Sequence, residues 1–192
     1  FDREGNDISD VVFNPAGFMK VDADYTPKPY EEWRAKDWPR TYQNPTYGNM
    51  FAVGIAFAPP HAISEPTKTP NGTMIAPAPP RTGQPSGTMA AKVAESILDR
   101  LNDPNAPLRE ASLGDLGAIC DASTGRNMLS GSAAAMVMYP VVPDNTVYPE
   151  TGRHPTLTQG ELGLFGHWVK ILYHYLFIYK AKALPGWNLL PE

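Results

Sequence analysis

The sequence predicts a mixed fold, an α+β or α/β fragment with a β-hairpin and a long C-terminal apolar helix. Three observations predict it. The run Asn49-Met50-Phe51-Ala52-Val53-Gly54-Ile55-Ala56-Phe57 is apolar almost throughout and leads through a proline-dense loop into a stretch with helical spacing. Two strand-like stretches flank a loop of Ser, Thr, Gly and Asn, the pattern of a hairpin. Apolar residues crowd 160–183, and Pro185 follows as a stop.

Taken in order, residues 17–22 (Gly-Phe-Met-Lys-Val-Asp) alternate apolar and polar, as a strand does. Residues 25–48 form an insertion rich in Pro, Tyr and Trp, read as a loop pinned to the body by Tyr30, Trp33, Trp38, Tyr42 and Tyr47. Residues 49–57 read as a buried strand. The segment 59–80 holds seven prolines and is expected to form neither helix nor sheet. Pro80-Arg81-Thr82-Gly83 then precedes a helix near 86–101, with Thr82 or Ser86 as its cap. Asp103-Pro104-Asn105-Ala106-Pro107 breaks the chain. Residues 116–120 and 133–139 make the hairpin, and 140–158 is a second proline-rich connection.

The helix at 160–183 is apolar on nearly every face, which suits a buried helix or one in contact with lipid. Spanning a bilayer takes about 20 apolar residues, and His167, Lys170 and His174 interrupt this run. Two readings stand: an ordinary core helix, or one lying on a membrane surface or over an apolar pocket, with its basic end at Lys180 and Lys182.

Bulk properties narrow the function classes. A chain of 192 residues can bury a real core, and 21 prolines with 16 glycines imply long ordered loops. The net charge is −4 with dispersed Lys and Arg, so no electrostatic footprint for nucleic acid is present. A single cysteine rules out an internal disulfide framework. His61, His154, His167 and His174 lack metal-ligand spacing, and no metal is expected. No secretory or lipidation motif opens the chain, and Asn71-Gly72-Thr73 reads as a chance glycosylation pattern. The start at Phe1 and the ending Leu189-Leu190-Pro191-Glu192 read as the C-terminal part of a longer protein.

A strand-end glycine, a rigid loop and a helix start together offer a platform for a flat, electron-rich ligand, because a helix N-terminus presents unpaired N–H groups and partial positive charge. Gly54 and Ile55 allow close backbone approach, and Arg81, Thr82 and Gly83 sit where the helix dipole acts. Lys170 is costly in so apolar a helix unless paired or snorkelled. Tyr173 and Phe177, four apart, share a helical face and serve equally well in core packing or in ring stacking. Cys120, a lone cysteine in an apolar strand, reads first as a small buried hydrophobe, with a redox thiol as the alternative.

Three segments in this order resemble the sulfide:quinone oxidoreductases, FAD-dependent and membrane-associated members of the pyridine nucleotide–disulfide oxidoreductase superfamily. They are residues 49–56 with the proline-rich loop and Pro80-Arg81-Thr82-Gly83, Ala118-Ile119-Cys120-Asp121-Ala122-Ser123-Thr124-Gly125, and the helix from His167 to Lys180. The resemblance covers about residues 15–24 and 49–183 and leaves 25–48 and 140–160 without a counterpart. Gly54 is followed by Ile55 rather than by the aspartate usual in the superfamily, which looks like the sulfide:quinone branch.

The resemblance implies the C-terminal part of a two-dinucleotide-binding-domain flavoprotein fold. Residues 1–102 would close the FAD domain, and 103–192 would build a quinone pocket and a membrane-docking region. It implies FAD held near Gly54, Ile55, Arg81, Thr82 and Gly83, redox roles for Cys120 and Lys170, and a quinone against Ile119, Tyr173 and Phe177. The second redox cysteine and the Gly-x-Gly-x-x-Gly fingerprint are absent here, so both would belong to the N-terminal part of the same protein, and this part alone is expected not to turn over. Expected partners are a membrane quinone, a lipid surface and that N-terminal part, at the cytoplasmic peripheral face of a membrane; a homo-oligomer is compatible with all of this. Two alternatives accompany the reading: a non-catalytic docking module, and an NADH:quinone-type flavoenzyme.

Overall fold

A computed structural model describes residues 1–75, 79–81, 83–125, 129 and 131–190. It is a small α+β structure with two antiparallel sheets and three helices: α1 (Ser9–Val12), β1 (Thr67–Lys68), β2 (Met74–Ile75), α2 (Gln84–Asn102), β3 (Ala118–Gly125), β4 (Gly131–Met138), β5 (Gln159–Gly163) and α3 (Leu164–Ala181). Such a structure is compatible with a part of a flavoprotein.

The centre of the molecule is built largely from residues outside regular elements. Val21, Trp38, Tyr42, Phe57, Met89, Leu113, Val141 and Val142 are all but inaccessible to solvent and form one apolar cluster. This cluster draws on both sides of residue 102. Burying each large side chain of this kind stabilises the fold by about 1.5–3 kcal/mol. The aromatic insertion at 25–48 is therefore more than a pinned loop, since it contributes Trp38 and Tyr42 to the core itself.

Polar groups hold that irregular backbone in place. The Asp22 carboxylate accepts from the backbone N–H groups of Arg40 (3.0 Å), Thr41 (2.7 Å) and Tyr42 (2.7 Å). This grip holds Tyr42 at φ 61°, a backbone conformation that bulky residues rarely adopt. The Tyr42 hydroxyl donates to the carbonyl of Ala111 at 2.5 Å, and burial pushes its pKa up. Trp38 Nε1 donates to His61 Nε2 at 2.5 Å, while His61 Nδ1 lies 2.5 Å from the carbonyl of Ala62. Trp33 stacks on the same imidazole at 4.1 Å between ring centres.

Two expected strands are not strands. Residues 17–22 make only isolated bridges, Phe13 with Met19 and Met19 with Phe57. Residues 49–57 make only isolated bridges, Phe51 with Gln43 and Phe57 with Met19, and tighten between them into a 3₁₀ turn at Gly54–Ala56. The reason is Gly54, whose φ of 61° turns the chain out of extended geometry. Conversely, the proline-rich segment does contain sheet: β1 and β2 pair around the turn at 69–73, where Thr69 and the carbonyl of Thr73 close the hairpin.

The second helix follows expectation, with Pro85, Met89, Val93 and Ser96 buried on one face. Its N-cap is Gly83, not Ser86, whose hydroxyl instead donates to the carbonyl of Arg81 at 2.5 Å. The other expected cap, Thr82, lies outside the described residues.

The hairpin forms as expected, with Cys120 opposite Met136 and Asp121 opposite Ala135. A third strand extends it: β5 pairs with β4 to give the order β3-β4-β5. Its residues were expected to start the last helix. Gly160 and Gly163 disfavour a helix, and Gly163 at φ 110° ends the strand, so α3 starts at Leu164. The expected long apolar helix is thus 18 residues, and no helix among the described residues is long and apolar enough to cross a membrane.

Helix α3 packs across the sheet. A Cβ on Gly166 would lie 3.1 Å from Ala133 Cβ and 3.3 Å from Ala135 Cβ, so the small residues of both elements permit a close approach. In an antiparallel ladder, directly paired residues project to the same face. Asp121 and Ser123 therefore face α3 together with Ala135 and Ala133, their partners in the ladder. Only Gly166 and His167 of α3 are buried, and Phe165, Trp168, Leu172 and Tyr175 face outward.

Candidate functional site

Beta strand β3 is an edge of its sheet, and beside it, between the first residues of α2 and the length of α3, lies a cavity of about 770 Å³. That is ample for one ring system with a short tail. Gly83 and Gln84 line it from the start of α2, Ile119, Cys120 and Asp121 from β3, and Lys170, Tyr173, His174 and Phe177 from α3. Six of the ten residues singled out from sequence (Gly83, Ile119, Cys120, Lys170, Tyr173 and Phe177) thus meet in one place, although they span 95 positions of chain from Gly83 to Phe177.

The helix supplies the apolar part of the lining. Tyr173 and Phe177 stand 6.1 Å apart between ring centres with planes inclined at 36°, so they form a continuous aromatic surface. Phe177 also reaches across to α2, its Cζ lying 3.9 Å from where a Cβ on Gly83 would be. Lys170 carries the cationic head, and its ammonium donates to the backbone carbonyl of Asp121 at 3.2 Å. This bond resolves the cost of a lysine on so apolar a helix: the stem lies along α3 and the head reaches the strand edge.

Cys120 is half-buried and unpaired with another cysteine. Burial pushes its thiol pKa up, so the neutral thiol is favoured here. The thiolate chemistry expected from the resemblance would need a further positive influence on this sulfur.

Of the other four, Arg81, Gly54 and Ile55 do not line the cavity. Arg81 is buried against the core: its Nη1 donates to the carbonyl of Phe57 at 2.5 Å, and the guanidinium sits over the rings of Phe18 (5.4 Å) and Phe57 (5.1 Å). Burial lowers its pKa from the usual arginine value. Gly54 is buried against α2, where a Cβ would come within 2.7 Å of Ser86 Oγ and 3.1 Å of the Arg81 carbonyl. Its lack of a side chain admits the first turn of the helix. Ile55 is exposed and does not line the cavity. Thr82 lies outside the described residues.

Asp121 and Gln84 were not among the candidate site residues. Asp121 and Gln84 each carry side-chain oxygens shut off from solvent and without a hydrogen-bond partner: Oδ1 and Oδ2 of Asp121, and Oε1 of Gln84. A signal for Asp121 existed. In the run Ile119-Cys120-Asp121-Ala122-Ser123, the two polar residues alternate onto one face of the strand. On the same face, Ser123 Oγ and His167 Nδ1 lie 2.6 Å apart, beneath α3. Among the described residues, no group of three His, Cys, Asp or Glu is placed to hold a metal ion.

Comparison with known proteins finds a distant relative. The chain is 31% identical over 143 residues to the sulfide-quinone reductase of Aquifex aeolicus (strain VF5). The match covers 74% of this chain but 27% of that protein, so the chain spans about a quarter of the relative's length. The relationship to the sulfide-quinone reductases is distant. No family model and no solved structure matches the chain.

Proposed function

We propose that this chain is the C-terminal part of a flavin-dependent oxidoreductase that passes electrons from sulfide or a related donor to a membrane quinone. One observation carries the reading: an aromatic pair, a lysine head, a cysteine and a helix N-terminus converge on a single cavity of ring size. The distant relationship to a sulfide-quinone reductase supports it. The residues present fit a ring ligand, because the cavity combines aromatic and aliphatic surface with a lysine head. They do not include a phosphate-gripping glycine fingerprint, so the nucleotide end of an FAD would belong to sequence beyond this chain.

FAD, when bound, would supply the two-electron step between donor and acceptor. The residues of this chain bind and orient. Tyr173 and Phe177 present their faces to the quinone ring, and Ile119 packs beside it. Lys170 hydrogen-bonds an oxygen of flavin or quinone and offsets negative charge developing there. Gly83 places the positive end of α2 at the cavity. Cys120 lies on the same lining, where a sulfur species passing between donor and flavin would meet it.

The test uses the longer protein to which the chain belongs. Sulfide-dependent quinone reduction is expected to fall at least ~100-fold in Cys120→Ala, since nucleophilic steps through a single sulfur are lost with it. Unchanged sulfide turnover in that variant would overturn the role, and NADH oxidation that survives it would favour the NADH:quinone alternative.

The exposed face of α3 supports a second element of the reading, a lipid surface as partner. Deleting 160–183 would be a poor test, because it removes most of β5 as well as α3. The double variant Phe165→Glu/Leu172→Glu is expected to abolish co-sedimentation with vesicles at unchanged melting temperature. Retained co-sedimentation would refute the surface.

A further inference from the structure

Charge is unevenly placed along this chain. Residues 162–191 carry Lys170, Lys180 and Lys182 and no acid, whereas all 20 acidic residues of a chain with net charge −4 lie outside them. The same stretch holds the apolar stripe of α3, where Phe165, Trp168, Leu172 and Tyr175 are between 43% and 67% exposed. With about 100° of turn per residue, that stripe lies on the side of α3 away from Gly166 and the sheet, and Lys180 and the C-cap Lys182 fall on its two flanks. Lys170 lies on the other side, at the cavity. The segment after α3 adds apolar surface. It folds back onto the helix end, where the Tyr179 hydroxyl donates to the carbonyl of Pro185 at 2.6 Å and the Lys180 ammonium to that of Leu190 at 3.4 Å. Leu184, Trp187 and Leu189 stay exposed on it.

An apolar stripe flanked by cations, in a stretch without an anion, suits a partner that is apolar within and negative at its surface. A bilayer containing anionic phospholipid has both properties, because its headgroups attract basic side chains lying against it. A second copy of this chain would meet the stripe with the same cations and no anion, since a two-fold contact pairs a patch with itself. We propose that the exposed face of α3 docks on anionic phospholipid in particular, with Lys180 and Lys182 meeting the negative headgroups and the stripe entering the acyl boundary. This rests on the reading of that face as a lipid surface and adds to it the headgroup charge and the residues that select it.

The experiment is a titration of the 192-residue chain with vesicles, read by tryptophan fluorescence and by co-sedimentation. One vesicle is phosphatidylcholine alone, and the other has about a third of it replaced by phosphatidylglycerol. Each lysine at an anionic surface is worth about five-fold in affinity, so the pair is expected to give the anionic vesicle a preference of about 25-fold at low salt. That preference should fall to a few-fold as the salt rises to about 0.5 M, where screening is short-ranged. Lys180→Gln/Lys182→Gln should bring the ratio close to one with an unchanged melting temperature. Lys180→Arg/Lys182→Arg should keep it, which separates charge from the part Lys180 plays in holding the tail. Equal binding to both vesicles, or a preference that survives the glutamine variant, refutes the selection while the lipid surface stands. If the chain binds neither vesicle, the lipid surface and the selection fall together. Self-association in place of vesicle binding, abolished by Phe165→Glu/Leu172→Glu, would also overturn both and assign the face to a second copy.

Discussion

At the scale of single residues, Arg81 and His61 show how a polar group can be held within a core. Arg81 satisfies the buried carbonyl of Phe57 and lies over two aromatic rings. Arg81→Ala should cost about 2–3 kcal/mol in urea denaturation, from the orphaned carbonyl and the lost ring contacts. A cofactor-binding arginine would instead lose affinity with little loss of stability. His61 is held neutral between the indole N–H of Trp38 and the carbonyl of Ala62, and burial is the first cause of its lowered pKa, ahead of the opposing bond to Ala62. The unfolded chain therefore binds this proton at a higher pH than the folded one does. Its contribution to stability is full above roughly pH 6.5 and is lost as the pH falls below that value through the folded pKa. The lowered Asp24, at about 2, titrates well beneath this window. The urea midpoint should drop between about pH 7.5 and pH 5.5, and His61→Phe should flatten that drop. A slope unchanged in the variant would assign it to another group.

At the scale of elements, periodic segments were legible in the sequence and aperiodic ones were not. The helix at 84–102 and the hairpin of β3 and β4 follow the spacing of their apolar residues. Strands at 17–22 and 49–57 were misread because apolar content alone cannot distinguish a paired strand from extended core backbone. The boundary of α3 was misread by four residues because Gly160 and Gly163 were counted inside an apolar stretch. Two contacts test how the elements dock. Gly54→Ala should destabilise by about 1–3 kcal/mol, through a positive φ and a clash with the first turn of α2. Gly166→Leu should lift α3 from the small-residue face of β4, abolishing quinone-analogue binding and raising dye binding to exposed apolar surface. Retained ligand binding in Gly166→Leu would show that the cavity does not depend on this contact.

At the scale of the whole molecule, the core cluster and the site occupy different places. Trp38, Tyr42, Phe57 and Met89 make the centre, and none of them lines the cavity. The residues of the cavity were partly legible because the resemblance concerned an order of motifs, which survives even where secondary structure is misjudged. The alternation of Asp121 and Ser123 was visible, but it could not show that this face is covered, because an aspartate in an alternating strand looks solvent-facing until the helix above it is placed. The separation yields a prediction for the molecule as a whole. Cavity variants such as Tyr173→Ala should alter ligand affinity with a melting temperature shifted by no more than a few degrees, whereas Trp38→Ala should cost about 3–5 kcal/mol. A large stability loss in Tyr173→Ala would show that the site is part of the core after all.

The contact between Gly166 and the two alanines of β4 involves no residue of the cavity lining, yet it seats against the sheet the helix that supplies one wall of the cavity. It acts as a shim: a methyl group added there is expected to push α3 away from the sheet and so to change the space beside the strand edge. Ligand shape can therefore be retuned by substituting a residue that never touches the ligand.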